Sequence, residues 1–176
     1  MRYFIIKQHK QYTDAPTVID WYNKIDVRNI DKGNSSKLPH RILLNIHNNP
    51  HVFFTSIISE PIFLVTQEIR DTIKLYDKTI AYKQVVLLNM ENALTKLYFM
   101  PIFEKVDCLS RESILNRTRS VIYDAVLRKN SIKDQAIFQI GDANGVHIVA
   151  RLDLVESILK REGRGIFLQT VTLRSE

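Results

Sequence analysis

Cys108 is the chain's one cysteine, in the stretch EKVDCLSRES at residues 104–113. Asp107 precedes it, Leu109 follows it, and Ser110 and Ser113 come next. A thiol set among a carboxylate and two hydroxyls raises the prospect of nucleophilic chemistry. The neighbouring residue types argue against it. A nucleophilic cysteine needs a depressed pKa, supplied by a histidine or a helix N-terminus, whereas the charge of Asp107 pushes a thiol upward. Towards the C-terminus the first histidine is His147, beyond a hairpin. Free cysteine is also among the most buried residue types. The expectation is a packed thiol in a structural loop. Asp107, Ser110 and Ser113 would bond to backbone N–H groups there, with Glu112 favouring a short helical turn.

The remaining chemistry-bearing groups are thinly spread. His47 and His51 have the four-residue spacing of two metal ligands on a helix. Asn48, Asn49 and Pro50 between them break helix, and no cysteine pair adds to them. No metal and no cofactor are expected. The five glycines form no phosphate loop, and GRG at 163–165 follows a helix rather than opening one. The densest basic stretch is Arg111, Arg117, Arg119, Arg128 and Lys129. Arg117 and Arg119 are two apart, so a strand would put them on one face. This stretch reads as a solvated charged face or as a contact surface for an acidic partner. Aromatic residues do not interleave there as a base-stacking platform requires. Lys and Arg number 25 against 19 acids, a net charge of +6, spread without a long run of one sign. That balance favours acidic partners, with nucleic acid the weaker expectation.

The elements that must position these groups follow from periodicity. A length of 176 residues, 45% hydrophobic, suits one soluble domain over 1–176 with a sizeable core. MRYFIIK opens with an apolar run too short for a secretory signal, and reads as a strand over Arg2 to Lys7. Residues Ile42 to Ser59 carry no Lys, Arg, Asp or Glu, yet their Asn and His residues are costly in hydrocarbon. A cytoplasmic protein without a membrane span is expected. Asp14 and Pro16 suggest a helix start, with Val18, Trp21, Tyr22 and Ile25 on one face. Residues 26 to 40 read as a loop. Strands are expected at Ile42 to Ile46, Val52 to Ile58, Ile62 to Val65, Val85 to Leu88, Leu94 to Phe103, Val121 to Leu127, Ala136 to Ile140, Val146 to Ala150 and Ile166 to Leu173. Pro101 belongs at a sheet edge or bulge. Residues 104 to 119 form a charged connection. One helix starts after Thr66, with Ile69, Ile73 and Tyr76 on its face. Another runs from Leu152 to about Glu162, with Gly163 as a left-handed cap.

EIRDTI at 68–73 and DLVESI at 153–158 share the pattern acid, aliphatic, any residue, acid, hydroxyl, isoleucine. Both follow a short apolar strand. Duplication of a strand–helix unit and convergence of two amphipathic helices both account for it. The fold class expected is α+β: a mainly antiparallel sheet with two or three helices packed on it.

The segments PIFLVTQEIRDTI, KQVVLLN and YFMPIFEKVDCLSRES together resemble a bacterial immunity-protein family associated with polymorphic toxin systems, whose best-known example is myxobacterial. Val106, Asp107, Cys108, Leu109 and Ser113 match its Val-Asp-Cys-Leu motif and later serine. Val65, Thr66 and Glu68 match its Val-Ser-Glu loosely, with Thr66 in place of serine and Gln67 interposed. HIVARLDLVESILKREGRGIFL fits the last part, although Ala150 and Arg151 depart from the Ser-Glu found there. The resemblance covers residues 50–173 and leaves residues 1–45 unplaced. It implies a non-enzymatic protein that neutralises a cognate toxin by direct association, with the 106–113 motif structural. The alternative class is a basic regulatory domain that associates with nucleic acid.

Overall fold

A computed structural model describes residues 1–161 and 163–175. In chain order the strands are β1 (Tyr3–Gln8), β2 (Arg41–Asn45), β3 (Ile57–Ile58), β4 (Leu64–Val65), β5 (Ala81–Asn89), β6 (Leu94–Ile102), β7 (Lys105–Val106), β8 (Ile114–Leu115), β9 (Ile122–Arg128), β10 (Ile137–Ile140), β11 (Ile148–Arg151) and β12 (Ile166–Arg174). The helices are α1 (Gln67–Tyr76), α2 (Lys129–Ile132) and α3 (Leu152–Lys160). The class is α+β with antiparallel pairing dominant. The strands divide between two sheets, where the sequence suggested one. A seven-stranded sheet has the order β7-β10-β11-β1-β12-β9-β8, and a five-stranded sheet the order β2-β5-β6-β4-β3.

The two sheets contain the same unit. In the first, β2 runs parallel to β5, β5 antiparallel to β6, β6 antiparallel to β4, and β4 antiparallel to β3, with α1 between β4 and β5. In the second, β9 runs parallel to β12, β12 antiparallel to β1, β1 antiparallel to β11, and β11 antiparallel to β10, with α3 between β11 and β12. The N-terminal β1 thus fills in the second unit the place that β6 fills in the first. The likeness of EIRDTI to DLVESI extends to a whole strand order, as duplication of the unit requires.

Packing follows the alternation of side chains along the strands. The helices and the facing sides of both sheets share one core, which includes Ile69 and Ile73 of α1, Leu154 and Ile158 of α3, Val65 and Phe99 of the first unit, and Ile6, Ile148 and Ala150 of the second. The Tyr76 hydroxyl ties the helices together by bonding to the Asp153 carbonyl and to Ser157. Each outer sheet face has its own irregular cover. Residues 9–40 supply Val18, Ile25 and Leu38 against Leu44, Val85, Leu87 and Tyr98. Residues 104–121 supply Cys108 and Leu109 against Tyr3, Ile5, Phe138 and Val149.

Several local expectations are corrected. No α-helix forms over residues 14–25. Val18 instead makes a β-bridge to Ile46, and a single 3-10 turn runs from Trp21 to Asn23. Its apolar residues are spaced to cover a sheet, and Tyr22 is exposed. Of the strand expected over Val52 to Ile58, Ile57–Ile58 forms. The charged connection at 104–119 contains β7 and β8, which extend the seven-stranded sheet at its two edges. Pro101 lies in a central strand opposite Tyr82, beyond the pairing of β6 with β4 at Phe99, so its missing N–H breaks no ladder with β4. Gly163 is not left-handed. A Cβ there would come within 2.9 Å of Ile166 Cδ1 and 3.0 Å of Ile158 Cγ2, and the positive φ, +73°, belongs to Gly165. The expected helix end at Glu162 lies outside the described residues.

Candidate functional site

The 104–129 segment contains the Val106–Ser113 motif and the basic stretch that the sequence singled out. Cys108 is completely buried, and burial, together with the Asp142 charge, pushes its thiol up to about 12. At that value almost no thiolate exists near neutrality, so the thiol is poorly placed for nucleophilic attack. Asp107 does not act as the local backbone acceptor that its position suggested. Its side chain is exposed, and the carboxylate of Asp142, from the β10–β11 turn, takes that role. Asp142 accepts from the Cys108 N–H at 3.2 Å and the Leu109 N–H at 3.0 Å. Only a long-range contact makes this bond, so no local signal in 104–113 pointed to it.

The serines do bond to backbone. Ser110 Oγ accepts from the Glu112 N–H at 3.3 Å. Ser113 Oγ donates to the Val126 carbonyl at 2.8 Å and accepts from the Val126 N–H at 3.0 Å. Ser113 thereby substitutes for a pairing strand beside β9. Val106 ends β7, which pairs parallel with β10, and Leu109 makes a β-bridge to Leu127. The family-like motif is therefore the cover of the second unit and its fastening.

The basic stretch divides. Arg117 and Arg119 do not share a strand face, because both lie in the turn between β8 and β9, where Arg119 has a φ of +58°. The Arg119 guanidinium donates to the Asp142 carbonyl through both Nε and Nη2. Arg128 Nη2 donates to the Asp107 carbonyl at 2.9 Å. These two arginines fasten the cover from the far side, while Arg111, Arg117 and Lys129 are exposed.

The first unit carries a site that motif reading did not find. A trough of about 740 Å³ is lined by His40, Arg41, Arg70, Lys74, Lys78, Ile80, Tyr82, Gln84 and Phe99, with no acidic residue in its lining. Elementary spacing builds it. Arg70 and Lys74 are one helical turn apart on α1, and Lys78 follows in the connection to β5. Arg41, Gln84 and Phe99 are cross-strand neighbours on β2, β5 and β6. Arg41 Nε donates to Gln84 Oε1 at 2.9 Å. The Arg70 guanidinium lies 3.9 Å from the Phe99 ring centroid and also pairs with Asp71 at 2.8 Å. The Lys74 ammonium stands 5.5 Å from the Tyr82 ring centroid. Tyr82 lines the trough, and its hydroxyl oxygen is buried, with almost no accessible surface, and has no hydrogen-bond partner among the described residues. Burial raises the pKa of this phenol, Asp77 adds to the rise and Arg70 opposes it, so the group stays a protonated donor.

Beside the trough lies an apolar row. Leu43, Val86 and Leu97 are the next cross-strand set on the same sheet face, with Leu43 49% and Leu97 37% exposed. Length explains the opening: ten-residue α1 spans about 15 Å, whereas nine-residue β5 and β6 span about 30 Å. Helix cover runs out halfway along the strands.

Among the described residues, no helix is long and apolar enough to cross a membrane. No family model and no curated protein matches the chain.

Proposed function

We propose that this chain is a non-catalytic binding protein that neutralises a toxin by direct association, in the manner of the immunity family its motifs resemble. The observation that carries the reading is the open face of the five-stranded sheet. An exposed apolar row, Leu43 and Leu97, adjoins a trough whose charged lining is wholly basic. Apolar contact gives affinity, while the cations steer an acidic partner and reject basic ones. In this reading the partner is an acidic protein face and the protein acts in the cytoplasm. Arg111, Arg117 and Lys129 form a secondary basic surface on the opposite unit. The burial of Cys108 supports a role without covalent chemistry.

The test is co-expression with the product of the adjacent gene, followed by titration of the purified pair. Protection of growth and saturable binding are expected. Leu43→Asp combined with Lys74→Glu should weaken binding by at least about 100-fold, the loss of two interface contacts. Failure of the purified proteins to bind, or full protection by the double variant, would overturn the reading. Steeply salt-dependent binding to an oligonucleotide, with none to the protein, would favour the basic nucleic-acid domain instead.

A further inference from the structure

The trough beside α1 has a property that docking of a broad protein face leaves unused. Its lining includes Tyr82, whose buried hydroxyl has nothing to bond to among the described residues, and every charged group in the lining is a cation. A buried donor left unmade costs about 1–3 kcal/mol, so an unpaired hydroxyl just behind a cavity wall favours an acceptor that can reach it. The acceptor's charge follows from the lining. Asp71 is paired with Arg70, and the Asp77 carboxylate is bonded to the N–H and hydroxyl of Thr79. Arg41, Lys74 and Lys78 have no ion-pair partner among the described residues, so the excess at the rim is positive. A single carboxylate offers two oxygens and one charge. A phosphate group offers a near-dianion and enough oxygens to meet a hydroxyl, a guanidinium and an ammonium together.

Preorganisation points the same way. Stacking on Phe99 and pairing with Asp71 hold Arg70 in a fixed orientation. Lys74 and Lys78 are exposed and carry flexible stems. Reaching the Tyr82 oxygen requires a lining side chain to move, and Lys74, whose ammonium stands 5.5 Å from the Tyr82 ring centroid, has the freedom to do so. The volume exceeds that of bare phosphate and falls within the range of small-ligand sites.

We infer that this trough binds a small phosphate-bearing molecule, its phosphate held by Arg70, Lys74 and Lys78 and accepting a hydrogen bond from the Tyr82 hydroxyl. Such binding needs no toxin. It is tested on the chain alone, so its failure is separate from failure of the docking reading.

The experiment is calorimetric titration of the full chain at low ionic strength with inorganic phosphate, glycerol phosphate and acetate. Phosphate and glycerol phosphate should bind saturably with one site, and acetate far more weakly. Tyr82→Phe, which removes the donor and almost no volume, should weaken phosphate binding by about 10-fold, the value of one hydrogen bond to a charged group. Arg70→Met should weaken it further, and Lys10→Ala, at an exposed lysine outside the trough lining, should leave it unchanged. Absence of saturable phosphate binding, equal affinity for acetate, or unaltered affinity in Tyr82→Phe would each overturn the inference.

Discussion

The two five-stranded units share a strand order and differ in what their helices present. Aligning EIRDTI with DLVESI sets Ile69 beside Leu154 and Ile73 beside Ile158, and all four are buried in the common core. The unconstrained position of the shared pattern holds Arg70 in one copy and Val155 in the other. Val155 is buried in the core, whereas Arg70 turns its guanidinium onto Phe99 and opens onto the trough. One turn later Lys74 stands against Leu159. The repeated positions carry packing, and the positions free to differ carry whatever each unit does. The covers repeat this division. Asp20 accepts from the Asn45 N–H at 2.8 Å and pairs with Lys24 at 2.6 Å, while Asp142 accepts from Cys108 and Leu109. Burial pushes the Asp20 carboxyl up, but the bonds from Lys24 and Asn45 outweigh it and hold the group below its ordinary value.

If the units are equivalent, truncating matched core residues should cost the same. Ile73→Ala and Ile158→Ala should each destabilise the protein by about 2–5 kcal/mol. Because their core is shared, each should shift a single urea transition seen by circular dichroism. Two separate transitions, or a large inequality between the costs, would break the comparison. Asp142→Ala tests the fastening of the second cover alone. Leaving two N–H groups unpaired should cost about 1–3 kcal/mol. It should also speed alkylation of Cys108, whose burial and raised pKa predict a slow reaction at neutral pH in the unaltered protein. An alkylation rate unchanged by Asp142→Ala would show that the cover is held elsewhere.

The smallest effect concerns His147, which sits buried at the β10–β11 turn with its Nε2 3.0 Å from the Asn144 carbonyl oxygen. Burial lowers its pKa, and Lys7 adds to the lowering. The unfolded chain therefore takes up the proton first. Stability should be full above the ordinary histidine value of about 6.5 and decline as pH falls below it, levelling beneath the folded-state pKa. Urea midpoints measured across that range should slope in the native protein and flatten in His147→Gln.

Much of the secondary structure was legible because alternation and helical spacing are local signals. The β5 and β6 hairpin and both long helices lie where the pattern put them, apart from an end or two. The stretch at 14–25 misled because apolar residues three or four apart also suit an irregular cover with one buried side. Arg119 and Arg128 looked like free surface cations, since nothing nearby in sequence announces the carbonyls they hold. The trough was invisible for a related reason. Arg41, Arg70, Lys78 and Tyr82 come from separate elements, and no spacing rule joins a strand start to a helix face. Cys108, by contrast, could be read as packed from the charge of Asp107, the distance of any histidine in sequence and the usual burial of free cysteine, although the aspartate that fastens its loop is Asp142 and not Asp107.

The position of β1 has a kinetic meaning. It is the middle strand of the seven-stranded sheet, it precedes the other described strands in the chain, and both of its partners lie within residues 148–174. Emerging from the ribosome, Tyr3–Gln8 offers two unsatisfied edges until residues 148–174 have been synthesised. The first unit, from β2 to β6, contains all its own strands and can assemble in the meantime. Such long-range closure is slow and leaves a sticky edge exposed. A permuted chain carrying Tyr3–Gln8 after Arg174 would turn the fold into a plain tandem repeat, with every sheet partner drawn from its own half.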